Sequence, residues 1–327
     1  MTAPTRDARW FASVWVATFL LSAAFCPPTR ADAPADDVWL VSTRNMPRCN
    51  PLDASLQGLD YQRRDAQQGW TSSDARAFHA SASKSVPTIV FLHGNWTDAC
   101  EAIEKADAAE AAIRAQVGDR PFRFVIWSWP ADRVRHRIRD DLYLKADYCD
   151  AESCYLARWL DAEIKPGAPV SLVGHSFGSR IVAGAMHLLG GGSIDDQTLP
   201  QKTVSAWSDG KRNPVRLVLM AAALGDNGLA PDAVYGRALT LVDRALISQN
   251  PCDRVLRWYP VVSDHSCGDE ALGAVGPQTV ADNVDVIDVS GSVGRQHQCQ
   301  RYCQSCELAD HWARYTFLDG RPSSKDP

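Results

Sequence analysis

A serine between two glycines stands where a nucleophile could be activated. Residues 174–178 read Gly-His-Ser-Phe-Gly, which matches the pattern G-x-S-x-G around Ser176. This pattern places a strained serine on a sharp turn between a strand and a helix, and the glycines leave room for that turn. An apolar run at 170–173 precedes the turn and a helical pattern at 179–189 follows it. The sequence therefore predicts that Ser176 is a nucleophile for acyl transfer; the alternative is a glycine-rich turn with a buried or capping serine.

The loop after an earlier apolar run could supply the second part of such a site. Residues 92–96 read Leu-His-Gly-Asn-Trp and follow the run at 88–92. Acyl transfer requires fixed N–H donors for the oxyanion of the tetrahedral intermediate. In enzymes with this serine turn, one donor is the residue after the nucleophile and the other comes from the earlier loop. We expect Phe177 and Asn95 to form the oxyanion hole, with Trp96 as the second choice in the loop.

Three motifs together resemble a known family. They are 89–94 (Ile-Val-Phe-Leu-His-Gly), 125–130 (Val-Ile-Trp-Ser-Trp-Pro) and 174–180 (Gly-His-Ser-Phe-Gly-Ser-Arg). In this order they are similar to a bacterial α/β-hydrolase family whose substrate is unassigned, and the resemblance covers about 86–318. It implies the α/β-hydrolase fold and a Ser-acid-His triad. Asn95 departs from the family pattern, in which many members have tyrosine.

The general base should be a histidine late in the chain, because the order in this fold is nucleophile, acid, histidine. Of the eight histidines, their positions relative to the predicted elements leave His297 and His311. His311 follows the last predicted strand at the start of a short helix, where relatives in the resembled family place theirs. We therefore predict His311 as the base, with His297 as the alternative.

The acid of the triad should follow the predicted strand at 255–262. Asp264 stands directly after that strand, where its carboxylate would orient the imidazole and stabilise the charged ring. Asp226, which follows the preceding predicted strand, is the alternative, and Asp269 is the third candidate.

Buried strands alternate with helices from residue 86 onward. Strands are predicted at 88–92, 122–128, 170–173, 215–220, 255–262 and 284–289, and helices at 98–117, 139–163, 179–189, 231–248 and from about 308. Continuously apolar strands joined by helices are typical of a parallel sheet covered on both faces. We predict an α/β-hydrolase domain at 86–327. Residues 34–85 are interpreted as an N-terminal extension packed on it, irregular except for a β-like stretch at 38–42.

The first 33 residues are typical of a secretory signal peptide. Arg6 and Arg9 precede an apolar run at 10–25, and the segment 31–33 has small residues at the spacing that signal peptidase prefers. We expect an exported protein, periplasmic or extracellular. A lipoprotein processed at Cys26 and an uncleaved membrane anchor are the alternatives.

Export would place the cysteines in an oxidising compartment, which favours disulfides. Nine cysteines remain without Cys26: Cys49, Cys100, Cys149, Cys154, Cys252, Cys267, Cys299, Cys303 and Cys306. The local candidates for pairing are Cys149 with Cys154 and Cys252 with Cys267. The last three cysteines, together with His297, also resemble a set of zinc ligands, which is the alternative to disulfides there.

The net charge of −5, with acidic and basic residues mixed along the chain, argues against nucleic acid as a partner. The one basic run, at 133–139, is followed by Asp140 and Asp141 and is interpreted as a solvated helix start rather than an anion site. The sequence thus predicts a serine hydrolase that cleaves a small-molecule carboxylic ester and needs no metal or organic cofactor. Thioester, amide and lipid substrates stay open, and the alternative is a non-catalytic scaffold used for binding in the cell envelope.

Overall fold

Nine strands form a single sheet in the part of the chain that the structure, a computed structural model, describes: residues 37–48, 51–209, 212–262 and 269–320. All of these residues belong to one compact unit, Pro34–Pro327. The strands are β1 (Asp37–Ser42), β2 (Asp60–Asp65), β3 (Gly69–Ser73), β4 (Thr88–Leu92), β5 (Arg123–Ser128), β6 (Val170–His175), β7 (Val215–Met220), β8 (Arg244–Gln249) and β9 (Val284–Asp288). Their spatial order is β3-β2-β1-β5-β4-β6-β7-β8-β9. Only β2 runs opposite to the other strands, so its pairings with β1 and β3 are antiparallel and the other six pairings are parallel.

Helices lie between the parallel strands and after the last of them. They are α1 (Ala75–Ser81), α2 (Ala99–Val117), α3 (Ile138–Glu163), α4 (Phe177–Leu189), α5 (Gln201–Ser208), α6 (Tyr259–Val262), α7 (Leu272–Val275), α8 (Ser290–Val293), α9 (Cys299–Cys303), α10 (Cys306–Ala309) and α11 (Trp312–Tyr315). In one group α3 packs on α4, and in another α2 packs on α9 and α11. Every residue of β4, β5, β6 and β7 is buried, which requires helices on both faces of the sheet.

The central elements lie where the sequence predicts them. The apolar runs at 88–92 and 215–220 are β4 and β7, and the helix expected at 98–117 is α2. Asp98 caps α2 in a capping box with Glu101, which explains why the helix begins there. No helix in the described residues is long and apolar enough to cross a bilayer, and the predicted signal peptide lies outside those residues.

The expected N-terminal extension is part of the sheet. The β-like stretch at 38–42 is β1, which lies between β2 and β5 and pairs with both. Strands β2 and β3 were not predicted. Both are half-exposed and polar, β2 reading Asp-Tyr-Gln-Arg-Arg-Asp, so they lack the apolar run that identifies a strand.

Two predicted elements near the end of the sheet are wrong. The helix expected at 231–248 is a short 3₁₀ turn (Ala238–Leu241) followed by β8. The strand expected at 255–262 is a 3₁₀ turn (Leu256–Trp258) followed by α6. Pro260 in the middle of that run already disfavoured a strand, whereas the first turn of a helix accepts proline.

Candidate active site

Ser176 lies on the turn that leads from β6 into α4. Its φ of 54° is the left-handed conformation expected of a strained nucleophile turn. Its N–H donates to the carbonyl oxygen of Met220 at 2.9 Å, which ties the turn to β7. A Cβ atom on Gly174 would lie 2.6 Å from the Ser179 nitrogen, and one on Gly178 would lie 2.2 Å from the Leu92 oxygen. Both glycines are therefore required by close backbone contact.

A histidine and an aspartate form a hydrogen-bonded chain with this serine. His297 Nε2 lies 3.1 Å from Ser176 Oγ, and His297 Nδ1 lies 2.8 Å from Asp253 Oδ2. A carboxylate only accepts, so Nδ1 carries the proton in this contact. Nε2 of the neutral ring is then an acceptor for the serine hydroxyl. This is the geometry of a Ser-His-Asp relay.

Asp253 is fully buried, and both of its carboxylate oxygens accept hydrogen bonds. Its Oδ1 accepts the N–H groups of Val255 (2.8 Å) and Leu256 (3.1 Å), and its Oδ2 also accepts the Tyr302 hydroxyl at 2.7 Å. Burial acts to raise the pKa of Asp253, but the bonds from His297, Tyr302 and the backbone outweigh it and hold the pKa below its usual value. The carboxyl group therefore stays ionised beside the imidazole.

Parallel strands bring these residues to one edge of the sheet. Ser176 follows β6, Asp253 follows β8 and His297 follows β9, each at the carboxyl end of its strand. Ligands in open α/β sheets bind at this edge. Along the chain the order is serine, aspartate, histidine, which is the order expected of a triad in this fold.

Two further histidines support the site. His175 is buried, and its Nε2 lies 3.0 Å from the carbonyl oxygen of His297. Because that oxygen only accepts, His175 carries its proton on Nε2. His93 is buried under the loop after β4, where its Nε2 accepts the backbone N–H of Trp129 at 3.3 Å and its Nδ1 lies 2.9 Å from the Gly94 oxygen. Burial lowers the pKa of His93 to about 3, so this ring is neutral.

The loop after β4 lies against the serine turn, as expected of an oxyanion loop. A Cβ on Gly94 would be 3.0 Å from the Cβ of Ser176. Both side-chain amide atoms of Asn95 are buried and form no hydrogen bond within the described residues. Thr97 Oγ1, which lies 2.9 Å from the Gly94 oxygen, fixes the loop. Phe177 begins α4, and N–H groups in the first turn of a helix have no intrahelical acceptor.

The predicted base, His311, is not the histidine that contacts Ser176. His311 precedes α11, and its ring packs 6.0 Å from the Tyr315 ring. The alternative, His297, makes the contact instead. Both histidines follow the last strand, β9. Only the short helix α8 separates β9 from His297, whereas His311 lies after two further helices, so the histidine nearer to the strand is the one that contacts Ser176.

Asp253, which is hydrogen-bonded to His297, was not among the predicted acids. Asp264 lies outside the described residues. Asp226 accepts from the Asn227 N–H and from Gln278, and Asp269 lies against Gly225. The aspartate that contacts His297 does follow a strand, but that strand is β8 at 244–249 rather than the predicted 255–262. The first aspartate after β8 is Asp253.

The cysteines form neither of the expected clusters in the described residues. Cys149 and Cys154 on α3 form no disulfide, and neither do Cys299 and Cys303 on α9, whose sulfur atoms lie 3.7 Å apart at hydrogen-bond distance. No group of three or more His, Cys, Asp or Glu residues in the described ranges could hold a metal ion. The pairing of Cys252 with Cys267 stays a prediction, because Cys267 lies outside those ranges.

The strand order, the helices on both faces and the serine turn after β6 define the α/β-hydrolase fold, which confirms the predicted fold class. Neither a protein-family model nor a curated protein matches the chain. Among solved structures, esterase B from Lactobacillus Rhamnosis (HN001) aligns over 88% of this chain and 86% of its own, with 12% identity and a TM-score of 0.37. An inhibited form of esterase B aligns over 86% and 85%, with 13% identity and a TM-score of 0.36. Both likenesses are distant.

Proposed function

We propose that this protein is a serine hydrolase that cleaves carboxylic esters through an acyl-enzyme. The observation that carries the proposal is the chain of contacts from Ser176 Oγ to His297 Nε2 at 3.1 Å, and from His297 Nδ1 to Asp253 at 2.8 Å. Both distances are those of hydrogen bonds, so the proton path needs no rearrangement. The serine lies on a strained turn at the N-terminus of α4, where the helix dipole is positive.

In the first half of the proposed reaction, Ser176 Oγ attacks the ester carbonyl carbon while His297 Nε2 takes the hydroxyl proton. The carbonyl π electrons move to oxygen, and the N–H groups of Phe177 and Asn95 stabilise the resulting oxyanion. The carbonyl bond re-forms as the alkoxy group leaves with the proton from His297. Asp253 orients the imidazole and stabilises its charge.

In the second half, water replaces the alcohol. His297 takes a proton from water, whose oxygen attacks the acyl carbon and forms a second tetrahedral intermediate. Its collapse breaks the bond to Ser176 Oγ, which recovers the proton from His297, and the carboxylic acid is released. The alcohol and the acid are the only products, and the enzyme returns to its starting state.

A fluorophosphonate tests the nucleophile directly, because it phosphonylates a serine only when a base activates it. We expect the wild-type protein to be labelled and the Ser176→Ala variant to be unlabelled. The Ser83→Ala variant is a matched control, since that serine is exposed and remote from the turn. Folded wild-type protein that resists labelling would favour the non-catalytic scaffold instead.

A panel of substrates then distinguishes ester hydrolysis from thioester and amide hydrolysis. We expect turnover of acyl esters of graded chain length, abolished in Ser176→Ala and in His297→Ala. Faster turnover of matched thioesters or amides than of esters would place the enzyme in a different class of serine hydrolase.

A further inference from the structure

Large apolar side chains are exposed mainly at the edge of the sheet that carries Ser176. Within the described residues seven such side chains are exposed, and five of them lie within ten residues after the carboxyl end of a parallel strand: Trp96, Val134, Ile138, Val255 and Trp258. The other two, Val234 and Val280, lie farther along the segments that follow β7 and β8. The most exposed is Trp258, at 64%. Clustered exposure of this kind marks an interaction surface, whereas scattered exposure does not.

The five side chains flank the candidate site on two sides. Trp96 follows β4, while Val134 and Ile138 follow β5; Val255 and Trp258 follow β8. In the sheet, β6 with Ser176 lies between β4 and β8. A flat partner that contacted both groups would therefore cover the serine turn.

The group beside β4 and β5 is held together by Asp141. Its Oδ2 accepts the Trp96 indole N–H at 2.7 Å, and its Oδ1 accepts the N–H groups of Val134 (2.8 Å) and Arg135 (2.7 Å). The guanidinium of Arg133 lies 5.4 Å from the centre of the Trp96 ring. These contacts join Trp96, Val134, Arg133 and Arg135 into one surface; residues 254–258 lie on the other side of the serine turn, after β8. We call residues 96, 133–139 and 254–258 the cationic rim.

The rim is rich in unneutralised positive charge. Six of its arginines are exposed and form no ion pair with a carboxylate in the described residues: Arg133, Arg135, Arg137, Arg139, Arg254 and Arg257. Nearby, Asp140 is exposed, Asp132 is paired with Arg44 and Asp141 is buried. The protein as a whole has a net charge of −5, so this concentration of cations is local.

We propose that the cationic rim docks on an anionic lipid surface. Arginines beside exposed tryptophan and aliphatic side chains are the combination that binds anionic bilayers, the cations at the headgroups and the apolar side chains at the acyl boundary. In the docked protein the loop that carries Ser176 would face the acyl esters of the lipid surface. This last step depends on the proposed esterase function, but the docking itself does not.

Vesicle binding tests the docking separately from any hydrolysis. The full chain with Ser176→Ala is sedimented with vesicles of phosphatidylcholine alone, or of phosphatidylcholine with phosphatidylglycerol. We expect much stronger binding to the mixed vesicles, weakening as salt is added, because salt screens the attraction between arginines and headgroups.

Two triple variants with the same charge change locate the surface. We expect R133Q/R135Q/R137Q to lower the partition coefficient onto anionic vesicles by about 100-fold, because each cation near the surface contributes a factor of roughly five. The matched control R76Q/K84Q/K202Q removes three exposed cations outside the rim and should bind nearly as wild type. We also expect V134S/W258S to weaken binding while leaving the charge unchanged.

Three results would overturn the proposal. Equal binding to neutral and anionic vesicles would remove the role of charge, and equal losses in the two triple variants would remove the role of the rim. The third result is that R133Q/R135Q/R137Q keeps full vesicle binding, raises KM for a soluble ester that carries a carboxylate and leaves KM for an uncharged ester unchanged. The rim would then recognise a soluble anion instead of a lipid surface. If docking is as expected and the wild-type protein resists fluorophosphonate, the esterase function fails and the docking stands.

Discussion

The imidazole of His297 is held by groups on both sides of its ring. Asp253 binds Nδ1, and His175 binds the carbonyl oxygen of the same residue. The His175 ring also packs 5.2 Å from the His297 ring. Burial, and the neighbouring charge that His297 would carry, hold the pKa of His175 well below its usual value, so His175 stays neutral. His175 thus fixes the histidine loop without adding a second positive charge.

Replacing His175 tests this positioning role. We expect His175→Phe to lower kcat about tenfold with little change in KM, since the phenyl ring keeps the shape but loses one hydrogen bond to the histidine loop. His175→Gln should recover most of the rate, because its amide nitrogen reaches the place of Nε2. His175→Asn, whose amide falls near Nδ1, should not.

Proton NMR provides a second measurement on the same variants. The Nδ1 proton of His297 that bonds to Asp253 should give a sharp downfield resonance in the wild-type protein and in His175→Gln. We expect this resonance to broaden in His175→Phe. Wild-type kcat in His175→Phe, or equal losses with Phe and Gln, would show that the donor on residue 175 has no role.

The two candidate acids can be separated by single substitutions. We expect Asp253→Asn to lower kcat by about 10⁴-fold, because an amide leaves the imidazole in the wrong tautomer. Asp264→Asn should leave kcat near that of wild type and is the matched control. The rate of p-nitrophenyl ester hydrolysis measures both. A large loss in Asp264→Asn with none in Asp253→Asn would reverse the assignment.

At the scale of elements, the sequence predicted the strands that are apolar along their whole length. Strands β4 and β7 are continuous apolar runs, and their bounds were found to the residue. Strand β8 reads Arg-Ala-Leu-Ile-Ser-Gln, with only three apolar residues at its centre, and it was included in a predicted helix. The more apolar segment at 255–262 was taken as the strand. Because the acid was expected directly after that segment, Asp264 was predicted, and Asp253, the first aspartate after β8, was not considered.

A buried carboxyl group links three elements at the β1 side of the sheet. Glu152 on α3 accepts hydrogen bonds from Thr43, just after β1, at 2.8 Å and from Trp127 on β5 at 3.0 Å. Burial raises the pKa of Glu152 from 4.5 to about 7, and these bonds lower it by less. The folded state therefore binds a proton that the unfolded state has already lost between these two pH values.

The sign of the resulting pH dependence follows from linkage. From pH 4.5 to 7 the folded protein binds more protons than the unfolded chain, so its free energy of unfolding falls as pH rises. At 1.36 kcal/mol per pKa unit the loss is about 3 kcal/mol, complete above pH 7. We expect Glu152→Gln to remove this fall, as measured by urea unfolding at pH 5 and pH 8. An unchanged slope in the variant would contradict a buried, protonated Glu152.

At the scale of the whole molecule, the sequence identified the class of sheet but not where it begins. Of the parallel strands from β4 onward, β4, β5, β6, β7 and β9 follow apolar runs and were predicted, whereas β8 was not. The first strands join this core through β1, which pairs with the distant β5 over six residue pairs, and β2 and β3 form a hairpin added to β1. Such pairing is set by tertiary contacts and leaves little periodicity in polar strands. The predicted boundary between the extension at 34–85 and the domain at 86–327 therefore runs through a single sheet.

A truncation tests whether these first strands are structural. Removing residues 1–85 would uncover β5 as an open edge and delete the fully buried Trp39 and Phe78, whose rings lie 5.1 Å apart. Trp159 on α3 packs 5.3 Å from Phe78 and would be exposed as well. An unpaired edge beside exposed aromatic side chains promotes aggregation. We expect the chain 86–327 to be insoluble or to lack a cooperative thermal transition, whereas the chain 34–327 unfolds in one step. A soluble, cooperatively folded chain 86–327 would show instead that the first three strands are an accessory to a complete domain.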